Sequence, residues 1–287
     1  MSQPPPAPGA SETPAGEPPN SHAPGGTPRR SFLLGGLAGA VIGGGAGTAA
    51  GRWLTPQPPG PTVEVEKKLP TGTKLSYAQF GEDLVASSLF YSIAMDRPTY
   101  VDIGAGEPVD SNNTYMFYLR GARGLLVEPN VDLTEMTGKE RPEDKLLVAG
   151  IGVDATPEAD YYVMSAPQLN TFDKEQAERL HRDTAHKIVR VVKMPLVDIN
   201  KAIADHFGTK SPDLLSIDVE GLEFAILEKL DLKRFRPKVI CVDTLVTGTL
   251  KHNPKSTEYL TAHGYEVRGR TYPNTLYMDK ALLREKK

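Results

Sequence analysis

Cysteine is almost missing from this chain: Cys241 is the only one in 287 residues. A single thiol permits neither an intrachain disulfide nor a cysteine-based structural zinc site. Histidine is sparse, at six, and no His-Glu-x-x-His spacing occurs, which argues against a zinc hydrolase. A basic excess is also lacking, since 33 Lys and Arg face 36 Asp and Glu. No surplus is left to neutralise a phosphate backbone, so no nucleic-acid partner is expected.

Glycine and proline are scarce over most of the chain and crowded at its start. Residues 1–61 hold 13 of the 25 prolines and 13 of the 27 glycines. Such a stretch cannot bury enough side chain to offset chain entropy. Residues 1–28 therefore read as a disordered Pro-rich tail, and 54–74 as a Pro-rich linker. Between them, in residues 29–53, Arg29-Arg30 precede Phe32-Leu33-Leu34, and no charge follows until Arg52. That is the layout of a twin-arginine-type signal or a weak membrane segment. The apolar stretch 31–50 is long enough to span a bilayer, but seven of its 20 residues are glycine, which favours a signal over a committed anchor. The expectation is a membrane-associated or exported protein, with a cytoplasmic one as the alternative.

Residues 75–287 have the composition of one globular domain, and strand patterns alternate with helical ones. Phe80, Leu84, Val85, Leu89 and Ile93 recur at helical spacing. Short β-rich runs follow: TYVDIG (99–104), GLLVE (124–128) and LLVAGI (146–151), then YYVM (161–164) and IVRVVKM (188–194) around a polar helix, 173–186. A second strand–helix–strand passage runs LLSID (214–218), a helix over 221–230, and VICVD (239–243). A helix over 256–263 and the strands YEVRGR and TLYMD close the chain. The pattern implies an α/β, doubly wound sheet, mostly parallel, with an antiparallel closing strand.

In such a sheet ligands bind beyond the carboxyl ends of the strands. The first strand ends VDIGAGEP, with Asp102 near its end and Gly104 and Gly106 allowing a tight turn beside a ligand. Val109 stands where a dinucleotide fingerprint needs its third glycine, so a pyrophosphate cradle is not supported. The second strand ends at Glu128, where a carboxylate can accept hydrogen bonds from ribose hydroxyls. A nucleoside ligand without a phosphate chain suits this pair, and S-adenosylmethionine is the common one. The third strand end, SIDVEGLEF, brings Asp218, Glu220 and Glu223 within six residues. Like charges so close raise one another's pKa, although glutamates in a first helical turn also favour the helix dipole. Asp243, ending the next strand, is a fourth carboxylate and with Asp218 a candidate Mg²⁺ pair. His252, in the loop beyond, is an alternative base.

These stretches resemble the FkbM-type S-adenosylmethionine-dependent methyltransferases over roughly residues 75–280. The matching segments are SYAQFGEDLV (76–85), VDIGAGEPVDSNNTYMFYLRGARGLLVEPN (101–130), the stretch around LNTFD (169–173), VVKMPLVDI (191–199) and DLLSIDVEGLEFAILEKLDLKRFRPKVICVD (213–243). One departure is Pro108, where the family usually has glycine. The resemblance implies a class I methyltransferase fold and O-methylation of a small acceptor, often a sugar or polyketide hydroxyl. It implies a donor site at Asp102, Gly104 and Glu128, with Gly106, Asn113 and Asn130 as further candidate contacts. Asp218 is expected as the base or acceptor-orienting group, Glu220 as second choice, and Glu223 as their support. A different class of function competes: an exported domain leaves its donor in the cytoplasm, so an envelope protein that keeps the fold to bind a glycan is the alternative.

Overall fold

The computed structural model describes residues 71–246 and 249–283. The expected tail, the 29–53 segment and most of the linker lie outside the described residues. Among the described residues no helix is long and apolar enough to cross a membrane.

The chain runs through α1 (Glu82–Ser92), β1 (Tyr100–Ile103), α2 (Tyr115–Leu119), β2 (Gly124–Val127), α3 (Thr134–Glu140), β3 (Lys145–Leu147) and β4 (Gly150–Ile151). It continues through β5 (Glu158–Met164), α4 (Lys174–Asp183), β6 (Ile188–Val197), α5 (Ile199–Phe207) and β7 (Leu214–Ile217). It closes with α6 (Glu223–Lys229), β8 (Val239–Asp243), α7 (Pro254–Ala262), β9 (Tyr265–Arg270) and β10 (Asn274–Asp279).

Seven strands make the main sheet, in the order β3-β2-β1-β7-β8-β10-β9. Only β10 is reversed, running antiparallel to both β8 and β9. The central strands β1, β2 and β7 are buried at every residue, as the short apolar runs require. Their alternate residues serve two cores. Val101, Ile103, Leu215, Ile217, Ile240 and Val242 face one side, where α5, α6 and α7 supply Ile203, Leu227 and Leu260. Tyr100, Leu214, Val239 and Cys241 face the other, where α1 and α2 supply Phe90 and Phe117.

The stretch between β3 and β7 departs from the sequence expectation. LLVAGI is not one strand: β3 pairs with β2 in the main sheet, whereas β4 pairs with β6 in a separate three-stranded sheet ordered β4-β6-β5. Both partners accept an apolar strand, so hydrophobicity alone cannot mark the division. β5 and β6 form an antiparallel ribbon. Tyr162 and Met164 of this ribbon pack on Ala177 and Leu180 of α4. Asp173 caps α4 by accepting a hydrogen bond from the Gln176 amide at 3.0 Å.

Candidate active site

The parallel strands β1, β2, β7 and β8 present their carboxyl ends at one edge, and chain order reverses between β1 and β7. The turn after β1 runs through Gly104 at φ +76° and Gly106 at φ +59°, left-handed conformations that glycine adopts without cost. Gly104 is also forced by proximity, because a Cβ there would meet the Asp218 carbonyl oxygen at 1.7 Å.

This turn and the chain after β2 line a cavity of about 210 Å³. Gly104, Gly106, Glu128 and Asn130 all border it. One oxygen of Glu128 accepts the Gly106 N–H at 2.8 Å, and the other accepts the Asn130 N–H at 2.7 Å. Each oxygen keeps a second lone pair for a ligand hydroxyl. Burial pushes the Glu128 pKa up, and the two N–H groups oppose that rise. Leu133, Ile151 and Phe172 add apolar wall. A carboxylate fixed beside a glycine turn and an apolar slot fits a nucleoside-type ligand.

Two expected donor contacts lie elsewhere. Asp102 is buried beneath the turn and does not border the cavity; it accepts a hydrogen bond from the Thr114 hydroxyl at 2.7 Å. Burial raises its pKa and the nearby Arg141 guanidinium lowers it. Asn113 also stands off the cavity and donates to the Ser216 hydroxyl at 3.1 Å.

The segment after β7 separates two spaces. Asp218, Val219, Glu220 and Leu222 border the first cavity. Gly221 and Glu223 border a second, of about 340 Å³, with Asp173, Gln176, Phe224 and Asp243. Glu220 is non-glycine at φ +58°, a strained conformation that must be held from outside. The small sheet and α4 hold it: Thr171 donates its hydroxyl to the Glu220 carbonyl at 2.9 Å, and Gln176 donates Nε2 to the Glu220 carboxylate at 3.2 Å. Glu223 holds the same turn from inside, accepting the Val219 and Gly221 N–H groups at 3.1 and 2.9 Å.

Asp218, Glu220 and Asp243 each bring a carboxylate oxygen within 4.8 Å of the others, a spacing that can hold a cation. Burial, then repulsion from Asp243 and Glu220, drives Asp218 well above the ordinary carboxylate range. Burial and the charges of Asp243 and Glu223 push Glu220 up to about 8. Burial raises Asp243 to about 7, against the Leu245 N–H, which holds it down. His252 borders neither cavity; its Nδ1 pairs with the Thr244 hydroxyl at 2.7 Å, and burial lowers its pKa.

Sequence reasoning missed the group behind the turn after β1. Arg141 is fully buried and pairs with Asp144 at 2.8 Å, both side chains being closed to solvent. It also donates to Asn112, the Tyr100 hydroxyl and the Thr114 hydroxyl, each at 3.0 Å. Thr171 and Gln176 were missed as well, because their partner Glu220 lies more than 40 residues away in the chain.

No curated protein matches the chain. Among solved structures it is similar to a TehB-like SAM-dependent methyltransferase from Corynebacterium glutamicum, at 10% identity and a TM-score of 0.36, over 70% of this chain and 89% of that one. It is likewise similar to an O-methyltransferase from Bacillus cereus in complex with S-adenosylhomocysteine, at 11% identity and a TM-score of 0.34, over 72% and 82%. These likenesses are distant; the sheet itself is doubly wound and mostly parallel, with β10 reversed next to its edge, as expected from the sequence. The model of the methyltransferase FkbM domain matches residues 102–267, from within β1 to the penultimate strand. The chain belongs to the FkbM methyltransferase family and is an S-adenosylmethionine-dependent methyltransferase.

Proposed function

We propose that this enzyme methylates a hydroxyl group of a small molecule, sugar or glycan. The supporting observation is the acidic corner of Asp218, Glu220 and Asp243, set where the turn after β7 borders both cavities. A hydroxyl must lose its proton as its oxygen attacks carbon, and carboxylates with raised pKa values are stronger bases than ordinary ones. The donor supplies a methyl group on a sulfonium, an electrophile with a good leaving group.

The chain's own residues divide the remaining work. Glu128 holds the donor through its ribose hydroxyls. Asp218 orients the acceptor hydroxyl and takes its proton, with Glu220 as the adjoining carboxylate. Glu223 keeps the 219–221 turn in place. A base so positioned contributes about 10²–10⁴-fold. The three corner carboxylates also match the oxygen donors that Mg²⁺ takes; a divalent cation held there would lower their pKa values and keep Asp218 ionised to accept the hydroxyl proton.

The test supplies methyl-labelled donor and extracts to the parent and to Asp218→Asn, with S-adenosylhomocysteine affinity measured alongside. Label in an ether linkage, lost in the variant while affinity holds, supports the reading. Label on nitrogen or carbon, or full turnover by the variant, removes it. EDTA followed by Mg²⁺ tests the cation separately: activity unaffected by chelation eliminates it.

A further inference from the structure

The peptide plane joining Ala105 to Gly106 is gripped at both edges. On one edge the Gly106 N–H donates to Glu128 at 2.8 Å. On the other, the Ala105 carbonyl accepts from Nδ2 of Asn112 at 2.9 Å, and the same Nδ2 reaches the Glu107 carbonyl at 3.2 Å. Rotation of this plane would carry the N–H away from Glu128. Asn112 therefore controls a group that in turn orients the carboxylate.

Asn112 cannot turn over. It is buried at 1% exposure, and its Oδ1 accepts from the Thr114 and Tyr115 N–H groups at 2.9 and 2.8 Å and from Arg141 at 3.0 Å. Flipping the amide would set its NH₂ against three donors and its oxygen against two carbonyls. Arg141 is itself locked by Asp144, Tyr100 and Thr114. The relay runs from a buried cation through one amide and one peptide plane to the cavity.

We propose that Asn112, backed by Arg141, is a positioning residue for donor binding, fixing the Glu128 carboxylate for the ribose hydroxyls. The inference rests on the donor reading of the first cavity. Asn112→Asp is nearly isosteric and keeps the acceptor facing Arg141, but it replaces the Nδ2 donor with an oxygen that repels both carbonyls.

The experiment measures the affinity of full-length protein for S-adenosylhomocysteine and for its 2′-deoxy and 3′-deoxy analogues by calorimetry, with urea unfolding in parallel. The parent is expected to prefer the intact ribose by about tenfold, the scale of one lost charged hydrogen bond. Asn112→Asp is expected to bind the intact ligand about tenfold more weakly and to lose most of that preference. A residue that only supports the fold would lower the unfolding midpoint and leave the preference intact, which overturns the proposal. A parent that binds without ribose preference also overturns it. A parent that does not bind S-adenosylhomocysteine sinks the donor reading, and the proposal with it. If Asn112→Asp does not fold, Asn112→Ser, which keeps a small polar group there, is subject to the same comparison.

Discussion

Gly104 and Asp218 meet backbone to backbone: a methyl group on the glycine would stand 1.7 Å from the aspartate carbonyl oxygen. The neighbouring pairing of β1 with β7 and the Asp218 N–H bond to the Ile103 carbonyl at 2.9 Å leave no room to retreat. The turn after β1 and the acidic corner are therefore one rigid junction.

Gly104→Ala should accordingly damage both functions at once. The strain of φ +76° adds to the collision, and a loss of at least about 2 kcal/mol of stability is expected, together with loss of S-adenosylhomocysteine binding. Urea unfolding and calorimetry check this. Retention of parental affinity would mean that the two strand ends move independently.

Protons should stabilise the metal-free protein. Glu220 at about 8 and Asp243 at about 7 lie above their ordinary values of 4.5 and 3.8, and Asp218 is displaced in the same direction. The folded state then holds more protons than the unfolded one across that interval, so stability falls as pH rises from about 4 to about 8. The destabilisation is absent below that window and complete above it. The urea midpoint in EDTA should drop between pH 5 and pH 8. A midpoint that climbs over this range contradicts the burial of the corner. Asp243→Asn should flatten the slope.

Arg141→Met should destabilise by about 3–5 kcal/mol, because it leaves Asp144 buried beside Asp102 without a cation. Equilibrium unfolding at pH 7 measures it. A change within about 0.5 kcal/mol, the range of an ordinary surface substitution, would show that the buried pair is not a structural anchor.

The proposed envelope location is tested in cells. Parent protein is expected in the membrane or exported fraction, and Arg29→Lys combined with Arg30→Lys is expected to lose that association. Protease treatment of spheroplasts reports which side the domain occupies. Full-length parent found wholly in the soluble cytoplasm would remove the export reading.

The sequence showed some of these features and concealed others for identifiable reasons. Runs such as LLSI and VICV are almost wholly apolar, with Ser216 the one polar residue, because both sheet faces are covered, so the central strands were legible. Glu128 and Asp218 were legible because a carboxylate closing such a run stands out. Asp102 has the same signature, yet it lies one pleat too deep and faces Thr114. Arg141 follows a short helix in a charged stretch, a pattern that ordinarily marks surface, and only tertiary contacts show it buried. The three-stranded sheet was hidden because pairing between β4 and β6 joins residues 46 apart, such as Gly150 and Leu196.

That small sheet is anchored in the main core at one end and set apart from it at the other. Ile151 of β4 belongs to the core that Ile203 and Leu227 share, whereas Tyr162 and Met164 form a cluster of their own with Ala177 and Leu180 of α4. It adjoins the acidic corner through Thr171 and Gln176, while Asp173, Glu175 and Arg179 border only the second cavity. Substitutions at Glu175 and Arg179, exposed on α4, would therefore change the charge of the second cavity while Gln176 and the Ala177–Leu180 packing face stay in place. Such changes reach one helix face and leave the Glu128 carboxylate with its two N–H donors as they are.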